Sequence, residues 1–242
     1  VTSIFIFGDS HTRALKDAHN NFKFLEPSLN LNIHWMLSVK NGMVRGDLRY
    51  EDALTIASNL SENDLLVISL LGTSHNLFGL IEHEIPFFFS DADQSEHNGP
   101  EKHLIPFNLM YDMFVEFSKK NKRIPELRKA TKAKVIHLMT PPPKGDNDFI
   151  KSKISRYRDK VLGEHSINSP TIRLKLWQIE MQALQNVCEE YGIYIVPTPE
   201  PAFDTGGFLR ADYYGGDATH ANMKYGKLVL SQLEKLLNRS IM

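Results

Sequence analysis

In FGDSHT (7–12) a serine, Ser10, stands between an acid and a histidine, directly after an opening in which five of the first seven residues are apolar. A serine hydroxyl is a weak nucleophile until a base within hydrogen-bond reach takes its proton. Adjacent His11 is badly placed for that task, because neighbouring side chains on a strand or helix diverge. A loop or capping role suits it better. Asp9 fits as a brace for the turn, bonded to backbone. Near the other end, YYGGDATHANMKYG (213–226) holds Asp217 and His220 in a glycine-flanked loop. Three residues apart in a turn, a carboxylate can accept from one imidazole nitrogen while the other faces outward, which is how a general-base histidine is oriented. A plainer use is open too, since Asp217 or Thr219 could simply cap the helix that follows.

Other chemistries have weaker support. Gly72-Thr73-Ser74-His75-Asn76 follows an apolar run and approaches the Gly-x-Ser-x-Gly elbow, but its last glycine is missing. His75, His83, His97 and His103 lie in or beside one long segment with Asp91, Asp93 and Glu96, none with the i, i+4 spacing of a helical zinc motif. They read as surface residues, and no metal site is expected. Phe87, Phe88 and Phe89 read either as an anchor for a long loop or as an acyl or sugar platform over Ser10. Trp35 and Trp177 read as core. With one cysteine, Cys188, the chain can form no internal disulfide. Its net charge of −1 gives no bulk attraction to nucleic acid, and its basic clusters at 119–134 and 151–160 read as solvated faces. No apolar run approaches a membrane span, and the first residues lack a signal peptide's charged and small-residue regions. A cytoplasmic location is the expectation.

These residues need a scaffold. SIFIFG (3–8), NIHWMLSV (32–39), DLLVISLLG (64–72), AKVIHLMTPPP (133–143) and IYIVPTPEP (193–201) read as five buried strands. Between them, residues 11–19, 47–60, 107–131 (interrupted near Pro125) and 172–192 read as helices, and 222–238 as a closing helix. Apolar strands alternating with helices predict a single α/β domain over 1–242: a parallel five-stranded sheet in a three-layer α/β/α sandwich. Ligands bind beyond the carboxyl ends of such strands, at a switch point. Ser10, Gly72 and the Pro141 and Pro197 stretches would gather there, under long loops at 77–105 and 141–170.

FGDSHT and DATHAN together resemble the terminal blocks of the SGNH family, the GDSL-type esterases and lipases. That resemblance implies a flavodoxin-like sandwich, with Ser10 as nucleophile, His220 as base and Asp217 as the acid orienting it. It implies an oxyanion hole built from the Ser10 N–H, a glycine after the second strand and an asparagine after the third. The glycine is Gly42, with Gly46 as the second register. The asparagine block departs from the family: LLGTSHNLFG places Thr73 or Ser74 at that position, with Asn76 nearest in type. No cofactor is implied. The substrate class that follows is a small acyl ester, O-acetyl on a carbohydrate, hydrolysed through an acyl-enzyme. Two alternatives are transfer of the acetyl group to a sugar within a polysaccharide-modifying system, and a catalytically weak module that binds a glycan.

Overall fold

The computed structural model describes residues 3–22, 30–40, 42–89, 103–154 and 166–240. Its elements run β1 (Ser3–Gly8), α1 (Thr12–Asn21), β2 (Asn30–Trp35), β3 (Ser38–Lys40), β4 (Met43–Arg45), α2 (Tyr50–Ser58), β5 (Leu65–Ser69) and α3 (Ser74–Gly79). They continue with β6 (Phe87–Phe89), β7 (His103–Ile105), α4 (Phe107–Lys120), α5 (Arg123–Ala130), β8 (Lys134–Leu138), α6 (Asn147–Lys153), α7 (Pro170–Glu190), β9 (Tyr194–Val196) and α8 (Met223–Ser240). Five strands make one parallel sheet in the order β2-β1-β5-β8-β9.

The two-residue period of the strands divides the core. Leu65 and Val67 of β5 join Ile136 and Leu138 of β8 on one face, under α1 and α8. Leu66 and Ile68 join Val135 on the other, under α2, α5 and α7. All five residues of β5 are buried, as a central strand covered on both faces requires. The α/β/α sandwich expected from the sequence is therefore present, and the order of strands reverses between β1 and β5, where a ligand crevice belongs.

Three local features differ from the sequence reading. The second strand stops at Trp35, and residues 38–45 fold back as an antiparallel hairpin whose turn holds Gly42 at φ 73°. A glycine with positive φ is what a two-residue hairpin turn needs. The helical stretch 107–131 breaks at Asn121, whose Oδ1 accepts from Arg123 N at 3.0 Å. Pro125 sits in the first turn of α5, where its missing N–H is harmless. The last strand is only three residues long, because Pro197 and the prolines beyond it cannot extend a ladder. Within the two long loops lie the end of α3, the parallel pair β6–β7 and α6; residues 90–102 and 155–165 fall outside the described residues. Among the described residues no helix is long and apolar enough to cross a membrane.

Candidate active site

Ser10 follows the end of β1 and precedes α1. The chain turns sharply because residue 8 has no side chain: a Cβ on Gly8 would lie 2.0 Å from Thr12 Oγ1 and 2.4 Å from Ser69 O. Asp9 N donates to Ser69 O at 3.0 Å and Thr12 N to Asp9 O at 3.0 Å, closing the first turn. The Asp9 carboxylate lies 3.5 Å from Leu71 N and 3.4 Å from Arg123 Nη1. Burial pushes its pKa up, against the opposing pull of Arg123. Asp9 thus braces the turn, as expected.

His220 stands in the loop before α8. Its Nε2 is 2.7 Å from Ser10 Oγ, and its Nδ1 is 2.7 Å from Asp217 Oδ2. Asp217 Oδ1 also accepts from Thr219 N at 2.9 Å and His220 N at 2.8 Å. Burial alone would raise the Asp217 pKa, but the hydrogen bond and charge of His220 and these backbone donors outweigh it and hold the carboxyl below its usual range. An ionised Asp217 places the proton on Nδ1 and leaves Nε2 to accept from the serine hydroxyl. Neither Asp217 nor Thr219 caps the last helix. Asn222 does, its Oδ1 accepting from Lys224 N at 2.9 Å and Tyr225 N at 3.3 Å.

The loop is clamped from behind. Lys144, buried, donates from Nζ to the main-chain carbonyls of Asp217 and, at 3.2 Å, of Gly215. Its ammonium lies 4.6 Å from the Phe149 ring centre and 5.0 Å from that of Tyr214. Burial lowers its pKa to about 8, against the charge of Asp217. Helices α1 and α8, which flank Ser10 and His220, meet through backbone: a Cβ on Gly226 would lie 2.1 Å from Ala14 O.

His11 lies against His220, its ring centre 4.8 Å from that of His220 at a tilt of 39°. Burial, then the charges of His220 and His75, lower its pKa to about 3 and keep it neutral. Of the loop or capping role read from the sequence, His11 keeps the N-cap position of α1 without a side-chain cap bond, and its ring packs on His220.

The remaining predicted residues divide. Gly42 occupies the exposed hairpin turn, with nothing within 4 Å of where its Cβ would be, and it does not line the cleft beside Ser10. Gly46, the other register, has φ 99° and packs on the backbone of Trp35 and Met36, 2.4 Å from Met36 O to an added Cβ. Its neighbour Arg45 lines the cleft. Thr73 and Asn76 lie at the head of α3, bonded to each other through Asn76 N and Thr73 O at 3.1 Å. Ser74 N donates to Glu180 Oε1 at 2.9 Å, and Ser74 stands outside the set formed by Ser10, His220 and Asp217. Among the described residues no group of three or more acidic, histidine or cysteine side chains is placed to hold a metal. Asp91, Asp93, Glu96 and His97 lie outside the described residues. Phe89 is fully buried with Phe114 and Leu176, so it anchors its segment and does not cover Ser10. Trp177 is core, but Trp35 is only half buried and lines the cleft.

That cleft measures about 540 Å³. Ser10, His220 and Asp217 line it, together with Arg13, Trp35, Arg45 and Asn222. The sequence reading missed Asn222, Lys144 and Glu180. Only Asn222 carried a visible signal, as a capping residue type directly before an amphipathic run.

The fold is shared with a solved carbohydrate acetylesterase family member. A carbohydrate acetylesterase family member from Sinorhizobium meliloti superimposes with a TM-score of 0.51 at 9 % identity, over 99 % of this chain and 98 % of the other. An aryl esterase from M. smegmatis gives 0.49 at 10 % identity over the whole of both chains. A GDSL-like lipase from Bacteroides thetaiotaomicron gives 0.46 at 12 %, over 99 % of this chain and 89 % of the other. At such identities the likeness is one of fold alone. The chain matches no protein-family model and no curated protein.

Proposed function

We propose that this chain is a serine esterase that hydrolyses short acyl esters, O-acetyl groups on a carbohydrate in particular. The observation that carries the reading is the unbroken relay from Ser10 Oγ through His220 to Asp217, with both hydrogen bonds at 2.7 Å. Ser10 Oγ attacks the acyl carbon as its proton passes to His220 Nε2, and Asp217 holds the imidazole in the competent tautomer and stabilises its positive charge. The carbonyl electron pair moves onto oxygen, where the Ser10 N–H at the head of α1 is one donor. His220 then protonates the leaving alcohol. Water, deprotonated by the same histidine, releases the acid and restores Ser10.

The cleft supports the carbohydrate side of the reading. It has the volume of a small-ligand site, and its walls offer an indole, two guanidinium groups, the Asp17 carboxylate and the Asn21 carboxamide in place of an aliphatic channel. Stacking on Trp35 with polar contacts around it suits a sugar ring carrying a small acyl group.

The test is hydrolysis of p-nitrophenyl acetate and of acetylated sugars by the purified protein, with Ser10→Ala as control. Wild-type turnover that disappears in a folded Ser10→Ala protein is the expected result. A folded wild type inert on every short ester would overturn the proposal.

A further inference from the structure

The charged side chains that line the cleft are Arg13, Asp17, Arg45 and Asp217. Three of them already have partners. Asp217 accepts from the ring and the amide of His220. Arg13 Nε lies 3.5 Å from Asp17 Oδ2, one helical turn further along α1. Arg45 is different: among the described residues its guanidinium makes no ion pair and no hydrogen bond. The acid nearest to it in the chain, Asp47, is taken by others. That carboxylate pairs with Lys16 and accepts from Trp35 N at 2.9 Å.

An exposed, unpaired arginine is ordinary on a protein surface. The place of this one is not. Trp35 ends β2 in register with Gly8, two residues before Ser10. Directly after Arg45 the chain is fastened to that strand end. Gly46, at φ 99°, packs so closely that a Cβ would lie 2.4 Å from Met36 O. Asp47 N and Leu48 N donate to Trp35 O at 2.7 and 3.2 Å. On its other side Arg45 pairs with Ser38 across the β3–β4 hairpin. Backbone therefore fixes where Arg45 leaves the chain, and Arg45, Trp35 and Ser10 line one cleft of about 540 Å³. A guanidinium is a planar fork of N–H donors that matches a carboxylate in two bonds.

We propose that the acyl ester this site takes is carried on an acidic sugar, with the sugar carboxylate bound by Arg45 and the ring beside Trp35. The proposal rests on the esterase reading above and names its substrate class. The sugar carboxylate takes no part in acyl transfer; it holds the ring while Ser10 attacks the ester. Asp17 and Asp217 would repel such a substrate if they stood alone, but Arg13 and His220 offset them. The net charge of −1 over the whole chain supplies no long-range attraction for an anion, so the selectivity is local to Arg45.

The test is a pair of substrates that differ in one group: methyl glucuronide and methyl glucoside, each acetylated at the same hydroxyl. Wild-type kcat/KM should be at least about tenfold higher on the glucuronide at low salt, the scale of one charge-assisted contact, and the difference should lie in KM. It should shrink as ionic strength rises towards about 1 M, where screening acts over about 3 Å. In Arg45→Gln the ratio of the two kcat/KM values should fall to within about threefold of unity, and in Arg45→Glu it should invert. Circular dichroism checks the fold of each variant. A wild type that cleaves both sugars alike, or a folded Arg45→Gln enzyme that keeps the full preference, overturns the assignment. A wild type active on p-nitrophenyl acetate but without preference for the glucuronide overturns the substrate class alone. A wild type inert on every short ester overturns the esterase reading, and this proposal with it.

Discussion

Lys144 and Asp217 are tied through main chain, not through their charges: the buried ammonium donates to the carbonyl of the residue whose carboxylate orients His220. Lys144→Met would keep the volume and strand two carbonyls. We expect a stability loss of about 2 kcal/mol in denaturant melts. We also expect kcat on p-nitrophenyl acetate to fall roughly tenfold with KM little changed, the mark of a residue that positions another. A stable variant with normal kcat would remove Lys144 from the clamp.

Asp217→Asn keeps an oxygen for the Thr219 and His220 amides but loses the charge that fixes the His220 tautomer. The fold, followed by circular dichroism, should survive. The turnover number should drop by roughly 10³ to 10⁴. A loss smaller than about tenfold would show that His220 does not depend on this carboxylate.

The two glycine registers separate cleanly. Gly42→Ala meets open space and pays only for its positive φ, about 1 kcal/mol, with kcat unchanged. Gly46→Ala drives a methyl group into the backbone of Met36 and Trp35 at the end of β2. Its kcat should fall at least about tenfold if the Gly46 N–H faces the oxyanion. The opposite pattern would return the role to Gly42.

Trp35→Ala tests the sugar side of the cleft. KM for an acetylated oligosaccharide should rise about tenfold, the scale of one lost stacking contact, while turnover of a small aliphatic acetate stays near wild type. Equal losses on both substrates would point to a structural role for the indole.

Acid should destabilise the fold through two neutral histidines. Burial lowers the pKa of His137 to about 4, although its Nε2 bonds Leu70 O at 2.8 Å, and that of His11 to about 3. Both lie below the 6.5 of an unperturbed imidazole. The unfolded chain therefore binds protons that the folded chain refuses across that interval. Stability is full above about pH 6.5 and falls as pH drops, by up to roughly 1.4 kcal/mol per unit for each group. Urea melts between pH 7 and pH 4 should show this slope, and His137→Gln should flatten it.

Ser10, Asp217 and His220 were readable because each depends on residue type and local spacing. A turn of three residues lets Asp217 reach both the ring and the amide of His220. The sheet was readable for a similar reason, since Leu65–Ser69 has no polar side to place in water. Gly42 and Gly46 were not separable by type, because only the folded hairpin shows which one packs on β2. The Asn41-Gly42 pair was nonetheless a hairpin signal open to reading. Lys144 and Glu180 look like surface residues in sequence. Their burial comes from segments far away in the chain, which periodicity does not see. Trp35 looked like core because it sits within a strand, but β2 is an edge strand, and its end borders the cleft.

Gly226 has a consequence for timing. It lets α8 close onto the backbone of α1 and so brings His220 to a serine 210 residues earlier in the chain. On the proposed mechanism, Ser10 is an ordinary alcohol until that helix docks, however complete the first strand and helix already are. A nascent polypeptide would stay chemically silent at Ser10 until His220 had been made and docked. Contacts of such long range form late, so on refolding, reactivity toward a serine-directed probe should return after the helical signal, as the final act of assembly.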